Sequence, residues 1–281
     1  MMGYRSQADG AIQAWIQSMG PSGPLRNACE HILTASGKRL RPILVFMTAD
    51  AIGKGRDVTP VAAGVEFFHV ASLIADDLPC MDDEMERRGR PALHRQFGED
   101  IAILASYTLI AAGYESIVRN RYLGGSDEAA LLSLEVVSRC AGIKGATQGQ
   151  FLDLHPPDNR LETICQIIEQ KTVTLFEVAL SFGWLFGGGD TAQLSLVKKA
   201  AHHLGMAFQI ADDLGDMDKD AQCEMPINIA LCCGEVAARA LFEENMEGLS
   251  SALNALNLKT RHFQELLEFL EKTLHVKPLY M

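Results

Sequence analysis

Two aspartate clusters offer the clearest chemistry in this chain. One reads Asp76-Asp77-Leu78-Pro79-Cys80-Met81-Asp82-Asp83, the other Asp212-Asp213-Leu214-Gly215-Asp216, and each closes an apolar run. An acid in that place faces away from the core, and two such groups turned toward each other repel unless a cation lies between them. Carboxylate oxygens suit Mg²⁺, a hard ion that binds one or two carboxylates and completes its shell with water and substrate phosphates. Asp212 and Asp216 are four apart, hence on one helix face and about 6 Å apart along the axis, with Gln209 one turn earlier. Taken singly, the first cluster could be a charged surface loop, although its order of buried helix, Pro79 break and arginines weakens that reading, and the second could be a solvated acidic helix end.

Cations accompany the acids. Arg87-Arg88-Gly89-Arg90-Pro91 follows the first cluster. That order can hold Mg²⁺ from one side and phosphate from the other, arginine being suited to bidentate phosphate recognition. Gly37-Lys38-Arg39-Leu40-Arg41-Pro42 sets three cations before a helix start, where backbone N–H groups also attract anions. A basic loop balancing acidic neighbours would look the same. Lys171-Thr172 lies inside an apolar helical run, so the lysine either snorkels to the surface or reaches a phosphate while Thr172 lines a cavity. Gly149-Gln150-Phe151-Leu152-Asp153 is weak by itself.

The elements that must position these groups read as helices. Periodicity predicts them at 7–19, 24–36, 42–51, 61–77, 98–119, 127–143, 161–186, 190–217, 234–254 and 259–275, with no convincing alternating strand. Glu66, His69 and Ser72 recur at spacings of three along an otherwise apolar helix and share one stripe. Linkers such as Gly124-Gly125-Ser126 and Gly187-Gly188-Gly189-Asp190 are short, and no composition shift marks a boundary. One all-helical domain over residues 1–281 is the reading.

Composition narrows the classes. Of 281 residues 48% are hydrophobic, ample for a core, and the net charge of −11 argues against nucleic acid or an anionic membrane surface as a broad partner. An anionic small substrate stays open, because bound metal reverses the sign locally. Seven cysteines at irregular spacing, including Cys232-Cys233, show no zinc pattern and read as reduced thiols. No basic segment followed by an apolar run opens the chain, and no apolar stretch approaches the roughly 20 residues of a membrane span. A cytoplasmic protein without a membrane span is expected.

Taken in order, these motifs resemble the trans-isoprenyl diphosphate synthases, the head-to-tail prenyltransferases that make geranyl, farnesyl and geranylgeranyl diphosphates. The run from Val65 to Asp83 is very similar to that family's first aspartate-rich region, and Phe208 to Asp216 to its second. The resemblance extends from about Gly37 to about Gly234 and implies an all-α, isoprenoid synthase-type helical bundle around a deep central cavity. It implies that Asp76 and Asp82, supported by Asp77, bind Mg²⁺ on the allylic diphosphate. Asp212, assisted by Asp213 and Asp216, would hold a further ion, making three once diphosphate is bound. Arg87 and Lys171 would contact the allylic diphosphate; Lys38, Arg41, His69 and Arg88 that of isopentenyl diphosphate. Thr172 and Gln209 would neighbour the allylic cation. A homodimer is also implied, with residues 98–119 as a possible interface.

In this family a bulky aromatic just before the first motif closes the pocket at farnesyl length. Ala71 leaves space there and Phe68 could form a deeper floor, so a C20 product, geranylgeranyl diphosphate, is expected, with a C15 farnesyl synthase or a weakly active regulatory subunit of a heteromeric synthase as alternatives. The chain departs from the pattern after Asp216. A glycine-lysine pair and a later lysine are usual there, whereas Met217 to Pro226 appears as a shortened loop whose only cation is Lys219. A terpene cyclase on the same fold would need no isopentenyl site, so Lys38, Arg41, His69 and Arg88 discriminate against it.

Overall fold

The computed structural model describes residues 2–222 and 227–274. Its helices run in the order α1 (Met2–Ser18), α2 (Pro24–Leu33), α3 (Leu40–Ile52), α4 (Thr59–Asp76), α5 (Leu93–Phe97), α6 (Glu99–Tyr122), α7 (Asp127–Ala141), α8 (Ala146–Leu154), α9 (Leu161–Ile168), α10 (Thr174–Gly187), α11 (Leu194–Asp220), α12 (Ile229–Cys233), α13 (Glu235–Ala255) and α14 (Arg261–Thr273). Among the described residues the only strands are β1 (Glu86–Arg87) and β2 (Arg90–Pro91), an antiparallel pair between α4 and α5. Such a two-residue pairing is too short to leave an alternating pattern in sequence.

Two helices have almost no polar face and therefore sit in the middle. Every residue of α10 is buried. Helix α4 is packed from two sides: Val61, Val65 and Phe68 join a large core with α3 and α10, while Phe67, Val70 and Ile74 join a second core with α1, α2 and α6. Burial on both sides leaves α4 one way to end, with its terminal acids at the rim of the bundle.

The structure departs from the sequence reading in instructive places. The single helix expected over 161–186 is interrupted by a π-helical turn, Glu169–Val173, between α9 and α10. Wide turns of this kind re-aim side chains and often mark functional sites. Helix α2 stops at Leu33 rather than 36, because the Arg39 guanidinium donates to the carbonyls of Leu33 and Ala35. Helices α5, α8 and α12 are too short to show periodicity, yet α8 carries Gln150 and Asp153. Helix α6 is long and apolar enough, by length and composition, to cross a bilayer, which the reading by uninterrupted apolar runs missed; 44% of that window is buried in the bundle. Helix α11 continues to Asp220, so the first four residues expected to form a loop after Asp216 are helical; residues 223–226 of that stretch, and the last residue of the predicted 259–275 helix, lie outside the described residues.

Candidate active site

Three segments meet at one pocket of about 630 Å³: the start of α3 with Lys38, Arg39 and Arg41, α4 with His69, and the β1–β2 turn with Arg88. Arg39 sits in the left-handed region (φ 52) as N-cap of α3, which turns the chain sharply and puts Arg41 in the first helical turn. Arg88 is left-handed too (φ 56), at the tip of the β1–β2 turn. The hairpin is docked by Arg90, which donates to the carbonyl of His31 (2.8 Å) and to Thr34 Oγ1 (3.1 Å) at the end of α2. His69, on α4, meets Arg41 Nη1 and Arg88 Nη2 at 3.3 Å each through Nε2. Burial, then the two guanidinium charges, drives the His69 pKa well below its usual value. The ring is therefore neutral, with Nε2 free to accept from both arginines. Arg41 is buried over the Phe176 ring (4.9 Å), and burial pulls its pKa down to about 10 while Glu66 opposes the fall. Among the described residues, its Nε and the Nδ1 of His69 are buried without a partner, two donors that an anion could satisfy.

The first acidic cluster lies where α4 ends. Asp82 N donates to the carbonyl of Asp76 (2.8 Å), so the loop folds back and returns Asp82 toward Asp76. Gln150 on α8 donates to Asp82 (3.1 Å), and Lys171 donates to Asp153 (2.5 Å). Asp77 is buried and Arg87 donates to it through Nε and Nη2. Arg87, expected to contact diphosphate, is thus held by one of the acids expected to support the metal. Across the cleft, Asp212, Asp213 and Asp216 line a smaller pocket of about 220 Å³ with Asp153, Lys171, Thr172 and Gln209. Both oxygens of Asp213 are already occupied, accepting from Gln209 Nε2 and from the Ile229 backbone (2.8 Å each). Gln209 in turn accepts from Thr172 (2.9 Å), so Thr172, Gln209 and Asp213 form one hydrogen-bonded chain.

The acids lack enough positive charge. Burial lifts the Asp76 pKa to about 7, Lys171 opposing and Asp82 and Asp77 adding to the rise. Burial also lifts Asp212 to about 6, with Asp216 adding and Lys38 opposing. Charge on these groups is costly without a cation. Among the described residues no three acidic, histidine or cysteine side chains converge into a closed metal cage. An open, all-oxygen donor set fits Mg²⁺, which keeps several positions for water and substrate phosphates. Among the described residues, Asp76, Asp82, Asp212 and Asp216 have no arginine or backbone partner of the kind that holds Asp77 and Asp213.

Beneath the first cluster lies an apolar cavity of about 500 Å³, lined by Phe68, Ala71, Ser72, Ala75, Ile110 and Leu175, with Asp76 and Lys171 among its polar lining. Phe68 packs edge-on against Tyr114 (5.2 Å) and over Gly113, where a Cβ would meet the ring at 2.5 Å. Lys171 lines both this cavity and the acidic pocket. The π turn gives it that position, and Gly149 makes room, since a Cβ there would lie 2.4 Å from the Lys171 backbone nitrogen. Gly149, Gln150 and Asp153 carry only a weak signal in sequence, their motif spacing, yet they sit against Asp82 and Lys171. Arg39 stands in sequence only as one of three clustered cations, and Glu66 only as part of a polar helix stripe.

An all-α bundle with carboxylate-bearing helices beside an apolar cavity and a cationic pocket defines the isoprenoid-synthase fold. The solved structure of a geranyltransferase from Legionella pneumophila matches it with a TM-score of 0.87 at 25% identity, over 98% of this chain and 96% of that one. A geranyltranstransferase from Thermotoga maritima matches with a TM-score of 0.81 at 27% identity, over 96% and 98%. The chain belongs to the polyprenyl synthetase family, whose model matches residues 23–224. It is 36% identical over 207 residues to geranylgeranyl pyrophosphate synthase 11 (chloroplastic) of Arabidopsis thaliana, covering 70% of this chain and 57% of that protein. It is 36% identical over 223 residues to a short chain isoprenyl diphosphate synthase of Methanothermobacter thermautotrophicus, covering 78% and 66%. The chain thus spans less than two thirds of the length of either relative.

Proposed function

We propose that this chain is a head-to-tail trans-prenyltransferase that condenses isopentenyl diphosphate with an allylic diphosphate, giving geranylgeranyl diphosphate. The observation that carries the reading is the adjacency of a cationic pocket to an apolar cavity rimmed by Asp76 and Lys171. One would hold the diphosphate of isopentenyl diphosphate, the other the allylic tail. Four groups converging on a second anion site, Lys38, Arg41, His69 and Arg88, weigh against a single-substrate cyclase.

The chemistry follows from the residues. Asp76, Asp82, Asp212 and Asp216 would hold Mg²⁺, which supplies Lewis-acid stabilisation of the negative charge growing on the leaving diphosphate. Lys171, fixed between Asp153 and the acids, would bind that same leaving group. The allylic carbon–oxygen bond breaks with both electrons leaving on pyrophosphate, and an allylic cation remains. Thr172 and Gln209 orient polar oxygen near the cation, and the apolar walls exclude water that would quench it. The isopentenyl double bond then supplies two electrons to form the new carbon–carbon bond. Loss of a proton, for which the departed pyrophosphate is the base, restores a double bond.

Product length rests on Ala71 leaving the cavity open as far as Phe68. Incubation with isopentenyl and farnesyl diphosphates should yield a C20 product; chains stopping at C15 would make it a farnesyl synthase. Ala71→Tyr should shorten the product. The proposal extends to a homodimer, supported by an exposed apolar stripe on α6 that includes Ile103, Tyr107 and Ile110, and to a cytoplasmic location. Sedimentation of a Tyr107→Glu variant as a monomer is the expected outcome.

A further inference from the structure

The cationic pocket is joined to the first helix by a chain of alternating charges. Asp9 on α1 accepts from Arg39 Nε (3.0 Å), and Arg39 Nη1 donates to Glu66 on α4 (2.7 Å). The same Glu66 oxygen receives Arg88 Nη1 at 3.4 Å, and Arg88 continues through His69 to Arg41. Arg39 also donates to the carbonyls that end α2. Every nitrogen of its guanidinium is therefore spent on protein, with α1, α2 and α4 all held by one side chain. Glu66 is 1% exposed, a carboxylate buried in a pocket that otherwise attracts anions. By charge alone it should weaken that attraction.

We propose that Arg39 and Glu66 are positioning residues for the isopentenyl diphosphate pocket. On this reading, which rests on the function proposed above, neither touches substrate. Arg39 fixes the 34–41 turn from which Lys38 and Arg41 project. Glu66 fixes the guanidinium plane of Arg88, which leaves its remaining N–H groups aimed at the ligand. Helix α1 lies ahead of the 23–224 family match and takes part through Asp9. A fork of five donors in a rigid plane can make such a junction, whereas a lysine ammonium cannot.

Charge and position predict opposite outcomes, which makes the proposal testable by titration calorimetry of isopentenyl diphosphate into the metal-free protein, wild type against Glu66→Gln and Arg39→Lys. If Glu66 acted only by charge, Glu66→Gln would bind the anion more tightly. If Arg39 acted only by charge, Arg39→Lys would match wild type. Positioning predicts that both bind on the order of tenfold more weakly, the loss of a charge-assisted hydrogen bond that orients a ligand group. In turnover it predicts a raised KM for isopentenyl diphosphate with the KM for the allylic substrate held, a split that a general loss of packing would not produce. Variants that bind as well as wild type overturn the proposal. Should Glu66→Gln fail to fold, Arg39→Lys alone decides. A wild-type protein that does not bind isopentenyl diphosphate at all refutes the assignment of the pocket, and the positioning roles with it.

Discussion

The cationic pocket and the acidic cleft lie side by side but reach order by different means. In the pocket, like charges are reconciled by protein: Glu66 sits between Arg39 and Arg88, and a neutral His69 sits between Arg88 and Arg41. Its order comes from contacts within the protein. In the cleft, burial has pushed Asp76 to about 7 and Asp212 to about 6, and protein cations only partly relieve them. That half is completed by what binds there. One site is preorganised by hydrogen bonds, the other by an unmet electrostatic demand.

The widest gap between the two should open on removing the metal or its first ligand. Asp76→Ala, or chelation of Mg²⁺, should lower turnover about 10³-fold or more. Binding of isopentenyl diphosphate in calorimetry should survive either treatment; parallel loss of both would erase the distinction. Arg41→Ala should act on the other half, weakening isopentenyl diphosphate about 10- to 100-fold, since a buried charge-assisted contact is lost. An unchanged KM for that substrate would remove Arg41 from the pocket.

Smaller effects are expected at Gly149 and Asp77. Gly149→Ala would force a Cβ to within 2.4 Å of the Lys171 backbone nitrogen, and backbone cannot yield as a flexible side chain does. A stability loss of about 1–3 kcal/mol is expected from such overpacking. It should come with a raised allylic KM as Lys171 shifts, and a denaturant midpoint equal to wild type would show the contact to be unimportant. Least affected should be Asp77→Asn, whose carboxylate serves Arg87 rather than the cleft. A severalfold loss is expected; a loss as deep as that of Asp76→Ala would make Asp77 a metal ligand in its own right.

Much of this was legible in the chain. Apolar periodicity gave the long helices, and the types and spacing of Asp76, Asp82, Asp212, Lys38, Arg41 and Lys171 pointed to paired acids and diphosphate cations. Those signals survive in sequence because each is local: a helix repeats every 3.6 residues and a motif keeps its own spacing. Short elements left no such trace. Helix α8 carries Gln150 and Asp153 in nine residues, and the π turn that aims Lys171 lies inside a run with ordinary helical periodicity.

Residue types and their spacing specify an all-helical chain with two acid-tipped helices and an inventory of cations. Which of those charges are spent within the protein follows from packing. Asp77 goes to Arg87, Asp213 to Gln209 and Ile229, and Arg39 to Asp9 and Glu66, while Arg41 Nε is left unpartnered. The reason is physical. Residue type fixes what a group can bind, but apart from Gln209, one helical turn from Asp213, these partners lie on other chain segments that packing brings within about 3 Å.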